Sequence, residues 1–169
     1  MRFSIYHRGF TRLSAESIRY LNVHQEVPEN TPSGVQEAYA ALLLSMLLNS
    51  ALAAIRIQPP TTSNAMVAVM NTTRALDKLE LSTADQGKDM PSVALCSTRL
   101  TGNLSAKAYY RRALARNILK DEEAAEADLI TAHNLVPTDS AIESELAKLR
   151  QRKKEQRDRE KKAYKKLFA

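Results

Sequence analysis

The chain has 169 residues, a net charge of +6, a single cysteine and no tryptophan. One cysteine excludes an internal disulfide framework, and the length suffices for one domain with its own core. With only 4 glycines and 6 prolines among abundant Ala, Leu, Lys, Arg and Glu, the composition predicts helix. Most of the excess charge lies between Arg150 and Lys166, so the bulk value says little about nucleic acid. Cys96 has no His or Asp motif around it and reads as an unpaired thiol, compatible with a reducing compartment.

In chain order, residues 1–14 read as a partial N-terminus. Met1 to Phe10 lacks the continuous apolar stretch of a secretion signal. Ala15 to Val23 reads as the end of an amphipathic helix, with Ile18 and Leu21 on one face. His24 to Ser33 is a loop marked by Pro28 and Pro32. Gly34 to Ile57 then reads as one long helix. Within it, Ala38 to Ile55 is uncharged for about the minimum length of a membrane span. Tyr39, Ser45, Asn49 and Ser50 interrupt that run, and a buried helix of an array explains it more simply than a membrane helix. Pro59-Pro60 breaks the helix. Ala65 to Leu79 is its partner, with Ala68 and Ala75 seven residues apart. Residues 15–81 thus predict part of a first repeat and a complete second one.

Residues 82–105 fit this pattern poorly. Repeats of this kind join through a few residues, whereas here a stretch low in charge and without sustained period intervenes, carrying Pro91 and Gly102. It reads as an insert of about twenty residues against the usual short connector, a retained intron or misplaced exon boundary, or else as a genuine loop. Joining Lys88 directly to Ala108 restores a normal junction.

Residues 106–137 carry the clearest pattern. Ala113, Ala125 and Ala132 put small side chains where two short antiparallel helices touch, Tyr109 and Leu129 supply bulk, and Pro137 stops the second helix. This is the spacing of the 34-residue tetratricopeptide pattern. Arg112 and Arg116 depart from it, at positions usually given to Leu and Tyr. Asp121 is placed to cap the helix beginning at Glu122. Setting Ala51 against Ala113 and Ala75 against Ala132 makes the earlier pair an equivalent repeat, with a turn about five residues longer. The same register sets Ser17 against Ala75, so the chain is expected to begin inside a repeat, leaving an apolar face without its usual cover.

Residues 138–169 form a last long helix, with Ser140 as a cap and Ile142, Leu146 and Leu149 docking on the preceding repeat. Beyond Leu149 it is almost entirely charged. That part reads as a solvent-exposed helix held by i, i+4 pairs, or alternatively as a basic docking segment for calmodulin, an acidic partner or a membrane surface. The predicted fold is therefore all-α, a tetratricopeptide-repeat helical array with a long charged C-terminal helix.

The first helices of such repeats line a concave face. Lys107 and Arg111 share one face of theirs. Asn49 precedes Ala51 by two residues, as Arg111 precedes Ala113, so the two positions are equivalent. An amide, a compact ammonium and a planar guanidinium together suit a carboxylate. The expected ligand is an extended peptide with a free C-terminal carboxylate and acidic side chains. No catalytic residue, metal or cofactor is expected.

KAYYRRALA, with Asn49 in LLNSALAA, resembles the carboxylate-clamp tetratricopeptide domain of chaperone-binding proteins. The tail LAKLRQRKKEQRDREKKAYKKLFA resembles the C-terminus of forty-kilodalton cyclophilins and related large immunophilins, and IRYLNVHQEVPEN and RIQPP suggest a fungal member. The resemblance covers roughly Ala15 to Leu81 and Ala106 to Ala169. It implies a cytoplasmic module that binds the acidic tails of ninety- and seventy-kilodalton heat-shock chaperones, with no nucleic-acid or membrane partner. It also implies a prolyl isomerase domain ahead of the repeats, which this sequence does not contain, so isomerase activity is not carried over. The alternative function is a fragment of such an isomerase. Of the five clamp positions of that family, only Asn49, Lys107 and Arg111 can be assigned, with Lys88 competing for the role of Lys107.

Overall fold

The computed structural model describes residues 32–84 and 94–167. They form five helices: α1 Ser33–Arg56, α2 Thr62–Ala84, α3 Ala94–Ile118, α4 Glu122–Leu135 and α5 Ser140–Leu167. No strand occurs among the described residues. The chain is all-α, as its composition predicts.

Local chemistry sets the helix ends. After Arg56 the backbone turns extended at Ile57, and Pro59-Pro60, with no N–H to donate, prevent continuation. Thr61 starts α2: its hydroxyl accepts from the Asn64 amide at 3.2 Å and its carbonyl from Ala65 at 3.0 Å. The α3–α4 turn is tighter. Lys120 adopts φ 67°, Asp121 N–H bonds back to Arg116 C=O, and Lys120 N–H bonds to Asn117 C=O. These two bonds and the left-handed residue make a Schellman stop, here built without glycine. Asp121 then caps α4 through its carboxylate, which accepts from Ala124 N–H at 3.3 Å. For α5 the expectation needs correction. Asp139, not Ser140, is the cap, accepting from Ala141 N–H at 2.9 Å. Ser140 is already the first helical residue.

The helices pair in chain order. The buried contacts of α1 with α2 pass from Leu43, Leu47 and Leu48 beside Ala75 and Leu76 to Ala51 and Ala54 beside Ala68, so the two helices run antiparallel. Helix α3 runs antiparallel to α2, with Ala108 near Ala75 and Ala115 near Ala68, and therefore parallel to α1. Helix α4 returns against α3, and α5 docks Ile142, Leu146 and Leu149 on the resulting pair. Tyr109 packs against both the α1–α2–α3 core and the α3–α4–α5 core. Fully buried Leu47, Leu129 and Leu149 each stabilise the fold by on the order of 2 kcal/mol.

The alanine register holds in three dimensions. Ala51, Ala68 and Ala75 in one pair, and Ala113, Ala125 and Ala132 in the other, are all fully buried. Small side chains there let helix axes approach at the close end of the usual 8–10 Å. Buried between the alanines of α2 is Thr72, and between those of α4 lie Asp128 and Leu129. Thr72 is accommodated because its hydroxyl donates to Ala68 C=O at 2.7 Å.

Other boundaries differ from expectation. Helix α3 starts at Ala94, twelve residues before Ala106, so half of the stretch expected to be insert or loop is helix, continuous with the repeat that follows. Gly102 and several Ser and Thr residues hide the helical pattern in the sequence, while Leu104 and Ala108 pack it onto the preceding pair. The five extra residues of the earlier pair are not all turn. The α1–α2 connection is 57–61 and the α3–α4 connection 119–121, and the remaining three residues extend the start of α2. The apolar run in α1 is long enough to cross a membrane by length and composition, but Leu43, Leu47, Leu48, Ala51 and Ala54 are buried against α2 and α3. The expected N-terminal half-repeat and Lys88 lie outside the described residues.

Candidate functional site

Helices α1 and α3 lie side by side and parallel, and carry the three residues expected to bind a carboxylate. Asn49 and Lys107 are exposed, while Arg111 is half-buried. The Arg111 guanidinium reaches across to α1 and donates to Leu48 C=O at 2.6 Å. It therefore ends beside the backbone of the residue that precedes Asn49. Lys107 stands one helical turn before Arg111 on α3. The fold thus brings Asn49 and Arg111 to one level across the two helices, with Lys107 displaced toward their N-terminal ends.

Arg111 is short of negative charge. Among the described residues no carboxylate pairs with it. Burial, and then the neighbouring positive charge of Arg56, hold its pKa below the ordinary arginine value. The group stays charged at neutral pH, but its neutral carbonyl partner does not compensate the desolvation.

The next residue on the same helix has the opposite environment. Arg112 makes a bidentate pair with Asp128 of α4, with Nε to Oδ2 at 2.9 Å and NH2 to Oδ1 at 2.8 Å. Arg116 donates to the same carboxylate at 2.7 Å and to Ala124 C=O at 3.2 Å. Asp128 is only 3% exposed. The hydrogen bonds that Arg112 donates to Asp128 push its pKa up. Arg112 also lies 5.1 Å from the Tyr109 ring centroid and donates to Thr73 Oγ1 of α2 at 3.3 Å. The two departures from the repeat pattern are thus one internal ion cluster tying α2, α3 and α4 together. Sequence reasoning noticed Arg112 and Arg116 but not Asp128. The available signal was an acid among the small residues of α4, next to Leu129, on a helix whose buried face is otherwise apolar.

A second charged cleft, of about 860 Å³, lies between the start of α4 and the outer part of α5. Glu126 spans it, taking Lys153 at 2.6 Å and Arg150 at 3.4 Å. Its charges are largely matched within the cleft, whereas those of Arg111 and Lys107 are not.

No family model matches the chain. The chain is 34% identical over 154 residues to a peptidyl-prolyl cis-trans isomerase D of Cryptococcus neoformans, a match covering 90% of the chain and 36% of that relative. It is similarly 34% identical over 155 residues to the peptidyl-prolyl cis-trans isomerase D of Mycosarcoma maydis, covering 92% of the chain and 37% of that relative. The chain thus spans little more than a third of the length of the curated relatives it matches.

Proposed function

We propose that this chain, a relative of one part of the fungal peptidyl-prolyl cis-trans isomerases D, is a protein-binding module that docks the acidic C-terminal tail of a heat-shock chaperone. The tail's terminal carboxylate sits between Arg111 and Asn49, and Lys107 supports a second oxygen. The single observation that carries this reading is the contrast within α3. Arg112 and Arg116 share the buried Asp128, while Arg111, one residue away and half-buried, has among the described residues only a neutral carbonyl. A desolvated guanidinium without an anion is stabilised by binding one, and charge-assisted hydrogen bonds of this kind contribute about 1.5–3 kcal/mol each. The chaperone as partner, of the ninety- or seventy-kilodalton class, and the cytoplasm as compartment come from the family resemblance.

A second reading rests on the activity for which the relatives are named: the chain is a fragment of a peptidyl-prolyl cis-trans isomerase. In our reading the segment represented here contributes binding and not catalysis. A prolyl-isomerisation assay on this chain is expected to give the uncatalysed rate, and clear acceleration would overturn that assignment.

Calorimetric titration with the peptide Met-Glu-Glu-Val-Asp tests the docking reading. Binding is expected with a free carboxylate and not with the amidated peptide. Arg111→Ala is expected to remove it, with helicity by circular dichroism unchanged. Equal affinity for free and amidated peptide, or unchanged affinity in Arg111→Ala, would sink the proposal.

A further inference from the structure

From Arg150 to Lys165, α5 holds nine cationic and three acidic side chains, and all of them except Lys153 are exposed. The i, i+4 pairs that form there do not neutralise the cations. Glu155 accepts from Gln151 at 2.8 Å and Glu160 from Gln156 at 3.0 Å, so two of the acids are taken by neutral amides. Arg157 and Arg159 donate Nε to the carbonyls of Lys153 and Glu155. Among the described residues the one carboxylate bonded to a cation of this stretch is Glu126 of α4, which holds Arg150 and Lys153. The 100° helical step sorts the rest by face. The inner side is the one that buries Ile142, Leu146 and Leu149. Relative to it, Lys154, Lys161 and Lys165 follow one flank. Arg152 and Arg159, seven residues apart, follow the other flank, about 150° away. Arg152 also donates to Asn117 Oδ1 at 3.3 Å. On the crest between the flanks, pointing away from the protein, stand Gln151, Glu155, Asp158 and Lys162.

We infer that the outer part of α5 binds double-stranded DNA by lying in the major groove, its two cationic flanks against the two phosphate walls and its crest toward the base edges. This site is separate from the groove between α1 and α3 and does not rest on carboxylate docking. A B-form major groove is about 12 Å wide and admits one α-helix. Its two walls are rows of phosphates, which match cations on opposite flanks of one helix. An extended acidic peptide passes along one flank and leaves the other unmatched. A bilayer surface also meets a single face, and this helix has no apolar face to hold it there: Tyr164 is its one large exposed hydrophobic side chain among the described residues. The same scarcity of aromatic rings disfavours single strands, which bind by stacking. The crest suits the groove floor, where Glu155 and Asp158 can accept from cytosine amino groups and Gln151 can pair with adenine.

The test is fluorescence anisotropy of the full chain with a labelled DNA duplex. The comparison ligands are an RNA duplex of the same sequence, polyglutamate, and vesicles containing phosphatidylserine. The DNA duplex should bind about tenfold or more tightly than the RNA duplex, whose deep and narrow major groove does not admit a helix. With about five phosphates engaged, raising the salt from about 50 mM to about 200 mM should weaken binding by two to three powers of ten. Lys154→Gln with Lys161→Gln on one flank, and Arg152→Gln with Arg159→Gln on the other, should each weaken binding about tenfold and make the salt dependence shallower by about two phosphates. Arg152→Lys with Arg159→Lys should retain it, as should Arg111→Ala. Circular dichroism checks that each variant keeps its helices. Equal affinity for DNA and RNA duplexes, tighter binding to polyglutamate or vesicles, a loss confined to one flank, a loss in Arg111→Ala, or no binding to DNA would each overturn the inference and leave carboxylate docking to its own test.

Discussion

Arg112, Arg116 and Asp128 show how a departure from a repeat pattern is compensated. Two arginines replace an apolar and an aromatic side chain at a helix–helix contact, and one buried carboxylate takes three hydrogen bonds from them. Such clusters seldom stabilise more than a well-packed apolar set, yet breaking them is costly because the remaining charges lose their partner. Asp128→Ala should therefore lower the unfolding free energy by about 2–4 kcal/mol, below the fully buried range because the arginines keep some access to water. Adding Arg112→Leu and Arg116→Tyr to Asp128→Ala should recover most of that loss. Urea denaturation of the single and triple variants measures both. A single variant within about 0.5 kcal/mol of the parent would show that the cluster contributes little. At the neighbouring position, Arg111 is excluded from the cluster by the 100° step of the helix, which turns it toward α1. One residue thus separates an arginine that ties helices together through a carboxylate from one that meets a neutral backbone carbonyl.

At the scale of elements, α5 is two structures in one. Ile142, Leu146 and Leu149 are buried on α3 and α4, while from Arg150 to Lys165 every side chain except that of Lys153 is exposed. Lys153 and Arg150 clasp Glu126, fastening the first exposed turns of α5 to α4. The Lys153 hydrogen bond, with Arg150 assisting and outweighing partial burial, holds the Glu126 carboxyl below its ordinary value of 4.5. A carboxyl whose folded-state pKa is depressed stabilises the fold above its unfolded pKa and loses that contribution as pH falls through the folded value. The stability difference between the parent and Glu126→Gln should therefore be constant near neutrality and shrink as pH falls below 4.5. Chemical denaturation of both proteins across that range checks the sign. A difference that grows on acidification would contradict the clasp. The effect is expected to be small, because the pair is largely open to water.

For the molecule as a whole, two helix pairs stack so that α1 and α3 lie parallel, and their charges do not repeat. The inner helices carry Arg56, Lys107 and Arg111 with almost no acid, whereas the outer part of α5 interleaves both signs. In the proposed docking, an acidic peptide is drawn to one groove rather than to the molecule at large, although the tail holds more positive charge. Screening should reveal this. Raising the salt from about 50 mM to about 500 mM shortens the Debye length severalfold. Peptide affinity should fall severalfold, and Lys107→Ala should reduce the salt dependence. An affinity indifferent to salt would argue that the groove binds its ligand through apolar contacts.

Much of this architecture was legible in the residues because it depends on near neighbours. The 3.6-residue period marked both helix pairs, the alanines marked where helices touch, and the turn at Asp121 and the docking face of α5 followed from local spacing. That Arg111 of α3 lies level with Asn49 of α1 also followed, since equivalence between repeats is a counting argument. Where the period was faint, as between Ala94 and Ser105, packing of Leu104 on the preceding pair helped override weak helix propensity and moved the start of α3. Tertiary structure alone decided the partners of the charged groups. Arg112 meets an acid 16 positions away, and Arg111 a carbonyl 63 positions away. Periodicity says which face a side chain occupies; which helix covers that face, and therefore whether a cation is neutralised or left for a ligand, depends on how the helices pack.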